Sequence, residues 1–135
     1  MEALFDQINI GEIFEFSKNI SDDDIRRFAD ITGDRNPLHL DSEYAKKTRF
    51  KERIAHGFLT ASLISAAIGK NLPGAIYLEQ SLRFVRPAKI RDRVTAIVEV
   101  LNKDEKHSFL KLSTICKNQK NEYLIEGEAL ILVEC

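Results

Sequence analysis

Residues 56–72 read HGFLTASLISAAIGKNL, a run with no charged side chain before Lys70 and with Pro73-Gly74 directly after it. Apolar or small residues occupy nearly every helical face, so a helix here has no side to turn to water and has to be buried. Directly downstream the period becomes two: Leu78, Gln80, Leu82 and Phe84 alternate with Tyr77, Glu79, Ser81 and Arg83 until Pro87 stops the run. The pattern predicts three further strands at about 94–101, 108–117 and 123–133, separated by polar turns at 102–107 and 118–122. Links this short make antiparallel hairpins. Gly127, inside the last strand, predicts a bulge or tight bend that lets the sheet curl.

Upstream of the central run, Ser21 and Asp24 form a capping pair, and Ile25, Phe28 and Ala29 recur at helical spacing. This predicts an amphipathic helix to about Thr32, stopped by Gly33. The next stretch, TGDRNPLHLD, is dense in turn formers, and Pro37 forbids helix through Asn36, so a turn-rich loop is expected. Asp41 or Ser42 then caps a short exposed helix through Lys47, and an early strand falls near 12–16. The fold class is therefore α+β, with a curled antiparallel sheet wrapped around one long buried central helix. That architecture is the hot dog fold. Its edge strands need a partner, and pairing two such sheets buries an edge on each, so a homodimer is expected.

Composition narrows the partners. The 135 residues suit one core and one domain, 1–135. Twenty basic against twenty-one acidic side chains leave a formal charge of -1, which provides no positive field for nucleic acid or an anionic membrane. The N-terminal residues lack a basic segment followed by an apolar one, as a secretory signal would have. The uncharged run 54–68 is shorter than the roughly 20 apolar residues a membrane span requires. Cys116 and Cys135 have no metal-ligand spacing, and a structural disulfide at the last residue would be unusual, so a reducing cytoplasm is expected. With three histidines, no Cys/His cluster and no paired-carboxylate cage, neither a metal nor another cofactor is predicted.

Two places carry chemistry. Asp34 and His39 lie five apart with Pro37 stiffening the chain between them, so a carboxylate and an imidazole can act together on one water. The same residues also suit a plain turn, with Asp34 and Asn36 as Asx-turn formers and His39 at the surface. The second place is 54–58, at the start of the buried helix. First-turn N–H groups lack intrahelical acceptors and sit at the positive end of the dipole, so they can bind a developing oxyanion, and Gly57 lets a ligand approach closely. Gly57 equally suits tight helix–sheet packing.

Phe28-Ala29-Asp30-Ile31-Thr32-Gly33-Asp34-Arg35-Asn36-Pro37-Leu38-His39, with Ala45 six residues on, resembles the (R)-specific hydratase signature of MaoC-like enzymes. Ile54-Ala55-His56-Gly57 followed by Ala61-Ser62-Leu63-Ile64-Ser65 resembles that family's second block, and the likeness runs from about Gly11 to the C-terminus. It implies that Asp34 and His39 activate water for addition across a trans-2-enoyl thioester, carried on coenzyme A or an acyl carrier protein, giving an (R)-3-hydroxyacyl thioester, or catalyse the reverse. It also implies that Asn36 holds the loop, that the Gly57 N–H polarises the thioester carbonyl, and that Ser65 braces the acid from the helix. His56 either begins the helix and lines the pocket or serves as a structural cap.

Three rivals remain beside this reading. Hot dog thioesterases commonly place an acid on the central helix, as do related (R)-3-hydroxyacyl carrier-protein dehydratases, yet no Asp or Glu occurs from Ala55 to Leu72. A non-catalytic thioester-binding module would be expected to lose one member of the pair, and both are present. Basic residues at Lys46, Lys47, Arg49, Lys51 and Arg53, and at Arg83, Arg86, Lys89, Arg91 and Arg93, can meet phosphates or an acidic carrier protein, or simply face solvent.

Overall fold

A computed structural model describes residues 4–134; Cys135 lies outside them. The chain runs through α1 (Leu4–Gln7), β1 (Ile13–Asn19), α2 (Asp22–Thr32), α3 (Pro37–Leu40), α4 (Ser42–Lys46) and α5 (Gly57–Asn71). It continues through β2 (Ile76–Gln80), β3 (Arg83–Phe84), β4 (Arg93–Asp104), β5 (Phe109–Lys117) and β6 (Tyr123–Leu132). The sheet order is β1-β4-β5-β6-β2, with β3 also beside β6, and every pairing is antiparallel. α5 lies across β1, β4 and β5, so the sheet curls around it as expected.

The central strands obey their alternation. Val94, Ala96, Val98 and Val100 point inward from β4, and Leu110, Leu112, Thr114 and Cys116 do so from β5. They meet Leu63, Ile64, Ala67 and Ile68 of α5 in one apolar cluster. Complete burial of a side chain such as Ile64 contributes about 1.5–3 kcal/mol, so this seam is the main source of stability. Cys116 is a free thiol within it, and burial pushes its pKa up to about 12, which leaves it inert.

Three expectations are corrected. β4 does not end at Leu101: a register shift between Val100 and Asn102 absorbs one residue, and pairing with β5 resumes to Asp104. Gly127 is not a bulge, because it pairs in register with Thr114. Its missing side chain instead admits the chain between β2 and β3, since a Cβ there would stand 1.9 Å from the Ser81 carbonyl oxygen. The alternating run before Pro87 is not one half-buried strand either. It divides into β2 and β3 around Ser81, and Ile76, Tyr77 and Leu78 are all exposed at the sheet edge.

α5 is also less enclosed than its composition predicts. Phe58, Ser62, Ser65 and Gly69 recur at helical spacing along one exposed stripe, continuous at Phe58 and Ser62 with a cavity that Tyr77 and Leu82 also line. No helix among the described residues is long and apolar enough to cross a membrane.

Candidate active site

The first half of the site begins where α2 ends. Ser21 and Asp24 close a reciprocal capping box at its start, and Gly33 ends it at φ 83°, a left-handed turn that glycine adopts without strain. The turn sends the chain back past the helix end. There the Thr32 hydroxyl donates to the Phe28 carbonyl and accepts the Asp34 N–H at 3.1 Å. The Asp34 carboxylate in turn accepts the Asn36 N–H at 3.2 Å, and the Asn36 side chain accepts the Leu38 N–H.

That last bond corrects the expected loop. Asn36 caps and Pro37 starts a single helical turn, α3, because proline's fixed φ and absent N–H suit a first helical position. The turn carries His39 inward to 8% exposure while Asp34 stays exposed. Asp41 then caps α4 by accepting from Glu43 and Tyr44.

The second half is the segment leading into α5. An isolated antiparallel bridge joins Ile54 to Lys89, and the Ala55 N–H donates to the Ala88 carbonyl, which holds this segment extended. Two histidine bonds then tie the halves together. His39 Nδ1 lies 2.8 Å from the Ile54 carbonyl oxygen, and His56 Nε2 lies 3.0 Å from the Asp34 carbonyl oxygen. A carbonyl can only accept, so each of these ring nitrogens carries a proton. His39 Nε2 is thereby left with a lone pair, the form a general base requires.

The imidazoles of His39 and His56 meet at a tilt of 34° with centroids 4.0 Å apart, and the Phe28 ring also contacts His56, at 4.8 Å. One donor atom each from Asp34, His39 and His56 all fall within 4.8 Å of one another. The sequence offers no Cys/His cluster, yet tertiary packing gathers two of the three histidines beside the carboxylate. The hydrogen-bond pattern gives each histidine one ring nitrogen already engaged with backbone. Burial lowers the pKa of His39, the Ile54 carbonyl opposes that shift, the adjacent His56 adds to it, and Asp34 opposes it.

Gly57 opens α5, and the His56 side chain makes no capping bond to the first-turn N–H groups. A Cβ at Gly57 would meet the Phe84 ring at 2.8 Å, so this glycine also serves packing. Gly57 and His39 line one cavity of about 320 Å³ with Thr60, Phe84 and Arg86. A larger one of about 630 Å³ lies on the far side of Phe28, walled by Thr32, Phe58, Ala61, Tyr77 and Leu82.

Asp34, Asn36, His39, His56 and Gly57 therefore converge on one site. Ser65 does not: it is exposed two turns along α5, and among the described residues the Asp34 carboxylate takes the Asn36 N–H instead. Two positioning residues escaped the sequence reading. Thr32 was legible as a hydroxyl closing the end of a helix. Arg53, grouped with the basic residues, is a partly buried clamp whose Nε donates to the His39 carbonyl and whose Nη2 reaches Asp22, both at 2.6 Å. Nothing local signals that bond, because Asp22 is 31 residues away. Lys46, Arg83, Arg86 and Lys89 pair with Glu43, Glu126, Glu122 and Glu52.

A curled antiparallel sheet around one helix, with a carboxylate and two imidazoles gathered near that helix's N-terminus, defines a hot dog domain. The MaoC like domain family matches residues 7–121, and the chain belongs to that family. It is similar to the (R)-specific enoyl-CoA hydratase of Rhodospirillum rubrum, with 44% identity over 131 residues, 96% of this chain and 90% of that protein. It is also similar to the 3-hydroxybutyryl-CoA dehydratase of Methylorubrum extorquens, 42% identical over 96% of this chain and 83% of that one. Among solved structures, the unliganded R-hydratase of Pseudomonas aeruginosa superposes with a TM-score of 0.91 at 44% identity, over 96% of this chain and 84% of that one.

Proposed function

We propose that this chain is a hydro-lyase that adds water to trans-2-enoyl-CoA, giving (R)-3-hydroxyacyl-CoA, or catalyses the reverse dehydration, with Asp34 and His39 as its catalytic pair. The observation that carries this reading is the 2.8 Å bond from His39 Nδ1–H to the Ile54 carbonyl, which leaves Nε2 basic beside the Asp34 carboxylate. In the forward direction Nε2 takes one proton from water while Asp34 holds the other, and the water oxygen bonds to C3. The alkene electrons move toward the thioester oxygen, where the Gly57 N–H at the α5 terminus meets the developing charge. The imidazolium then returns its proton to C2, so one water is added, His39 is neutral again and Asp34 remains a carboxylate.

The absence of any acid on α5 argues against a thioesterase or a dehydratase with a helix-borne acid. The larger apolar cavity suits an acyl chain, and the relatives' names include both coenzyme A and acyl-carrier-protein thioesters, with coenzyme A named for the Rhodospirillum rubrum and Methylorubrum extorquens enzymes. The exposed apolar edge at β2 and the open stripe on α5 support a homodimer of 1–135 domains, in which a second copy covers both. The free thiol at Cys116 suits a reducing cytoplasm.

The test is hydration of crotonyl-CoA in deuterium oxide, with the product analysed by NMR and chiral chromatography. Syn addition is expected because both groups approach one face of the enoyl plane, and an (R) hydroxyl because the chain is similar to (R)-specific hydratases. Anti addition would separate acid and base onto opposite faces and remove the pair. An (S) product with syn addition would keep the pair and refute the (R)-specific assignment.

A further inference from the structure

The two histidine–carbonyl bonds are reciprocal: the Asp34–His39 segment supplies one ring and one carbonyl, and so does the 54–56 segment. His39 is accounted for by the chemistry above, whereas His56 is not. It is 2% exposed, its Nε2 is bonded to backbone, and its Nδ1 is a buried atom with no hydrogen-bond partner among the described residues. A side chain needed only to fill the space between Phe28 and His39 has no use for polar ring atoms, and phenylalanine, also planar though larger, would leave no orphan ring nitrogen. What phenylalanine lacks is the N–H toward Asp34.

We propose that His56 is the positioning residue of the acid–base pair, holding the Asp34 main chain through Nε2–H while its ring face backs the His39 imidazole. The inference rests on the Asp34–His39 reading. It assigns to His56 neither a proton transfer nor a helix cap, and α5 indeed receives no side-chain cap from it. Through Asp34 it sets where the carboxylate stands, and through the tilted ring contact at 4.0 Å it limits how His39 can present Nε2. Displacements of about 1 Å in such a constellation can cost on the order of 10²-fold in rate.

Two substitutions separate positioning from packing. His56→Gln places an amide nitrogen near the position of Nε2 and keeps the donor but loses the ring; His56→Phe keeps the ring and loses the donor. We expect folded His56→Phe to have an unchanged or raised Tm, a little-changed KM, and a kcat lower by about 10- to 10²-fold. His56→Gln should recover most of that kcat despite a lower Tm. A phenylalanine variant at least as active as the glutamine variant would overturn the proposal and make His56 a packing residue.

If both variants lose activity while folded, with the phenylalanine variant still the less active, the Asp34→Asn background decides. His56→Phe should cost little more there, whereas a full additional loss would show that His56 does not act through Asp34. Near-wild-type activity in Asp34→Asn alone would instead sink the underlying catalytic pair. An inactive Asp34→Asn beside a fully active His56→Phe would remove only His56.

Discussion

Asp34 and His39 come from one short stretch of chain yet occupy opposite environments: the carboxylate is exposed at the turn after α2, and the imidazole is buried beneath it. One helical turn makes the difference. α3, begun by the Asn36 cap and Pro37, rotates His39 toward Ile54 while Asp34 remains on the outer side of the turn. The lesson is that an acid and a base of different hydration can be made adjacent without distant segments, provided the intervening backbone reverses direction. Burial then selects the neutral imidazole, and the Ile54 carbonyl selects its tautomer.

The sharpest way to break this comparison is to neutralise each partner. Asp34→Asn and His39→Gln should each reduce kcat for crotonyl-CoA hydration by about two to four orders of magnitude without loss of fold. The double variant should be little worse than either single one, since both act on the same water. A folded Asp34→Asn protein with full activity would leave the burial difference without catalytic meaning.

The difference in environment also predicts pH behaviour. His39 is held below the ordinary imidazole value of 6.5, chiefly by burial, so it remains a base at pH values where a solvated histidine is protonated. The acid limb of kcat/KM for hydration should therefore have its midpoint below 6.5. As for stability, the unfolded chain binds the proton first, so this contribution is complete above 6.5 and is lost as pH falls from there through the folded value. Urea midpoints measured between pH 7.5 and pH 5 should show that decline, and His39→Gln should flatten it.

Arg53 sharpens the comparison from the buried side. It ties the His39 carbonyl to α2, so Arg53→Met should cost about 2 kcal/mol in urea unfolding and lower kcat more than it raises KM. An unchanged midpoint would show that α3 is held without the clamp. On the exposed side, Thr32→Val removes the acceptor for the Asp34 N–H, and about 1 kcal/mol with only a modest decrease in kcat is expected. A larger kinetic effect from Thr32 than from Arg53 would mean that the exposed acid is the more delicately placed partner.

Much of this architecture was legible in the chain. The capping box at Ser21, the stop at Gly33, the two-residue period of β4 to β6 and the apolar length of α5 each encode a local preference that packing then honours. So did the two blocks holding Asp34, His39 and Gly57, because their turn chemistry and helix start are local. Tertiary structure alone decided the rest. Periodicity states which residues share a face but not what covers it, so the exposed edge at β2 and the outward Ser65 had no local signature. Gly127 had to await the Ser81 backbone it accommodates. The contact between His39 and His56, and the Arg53 clamp, depend on hydrogen bonds between segments that only the folded chain brings within reach.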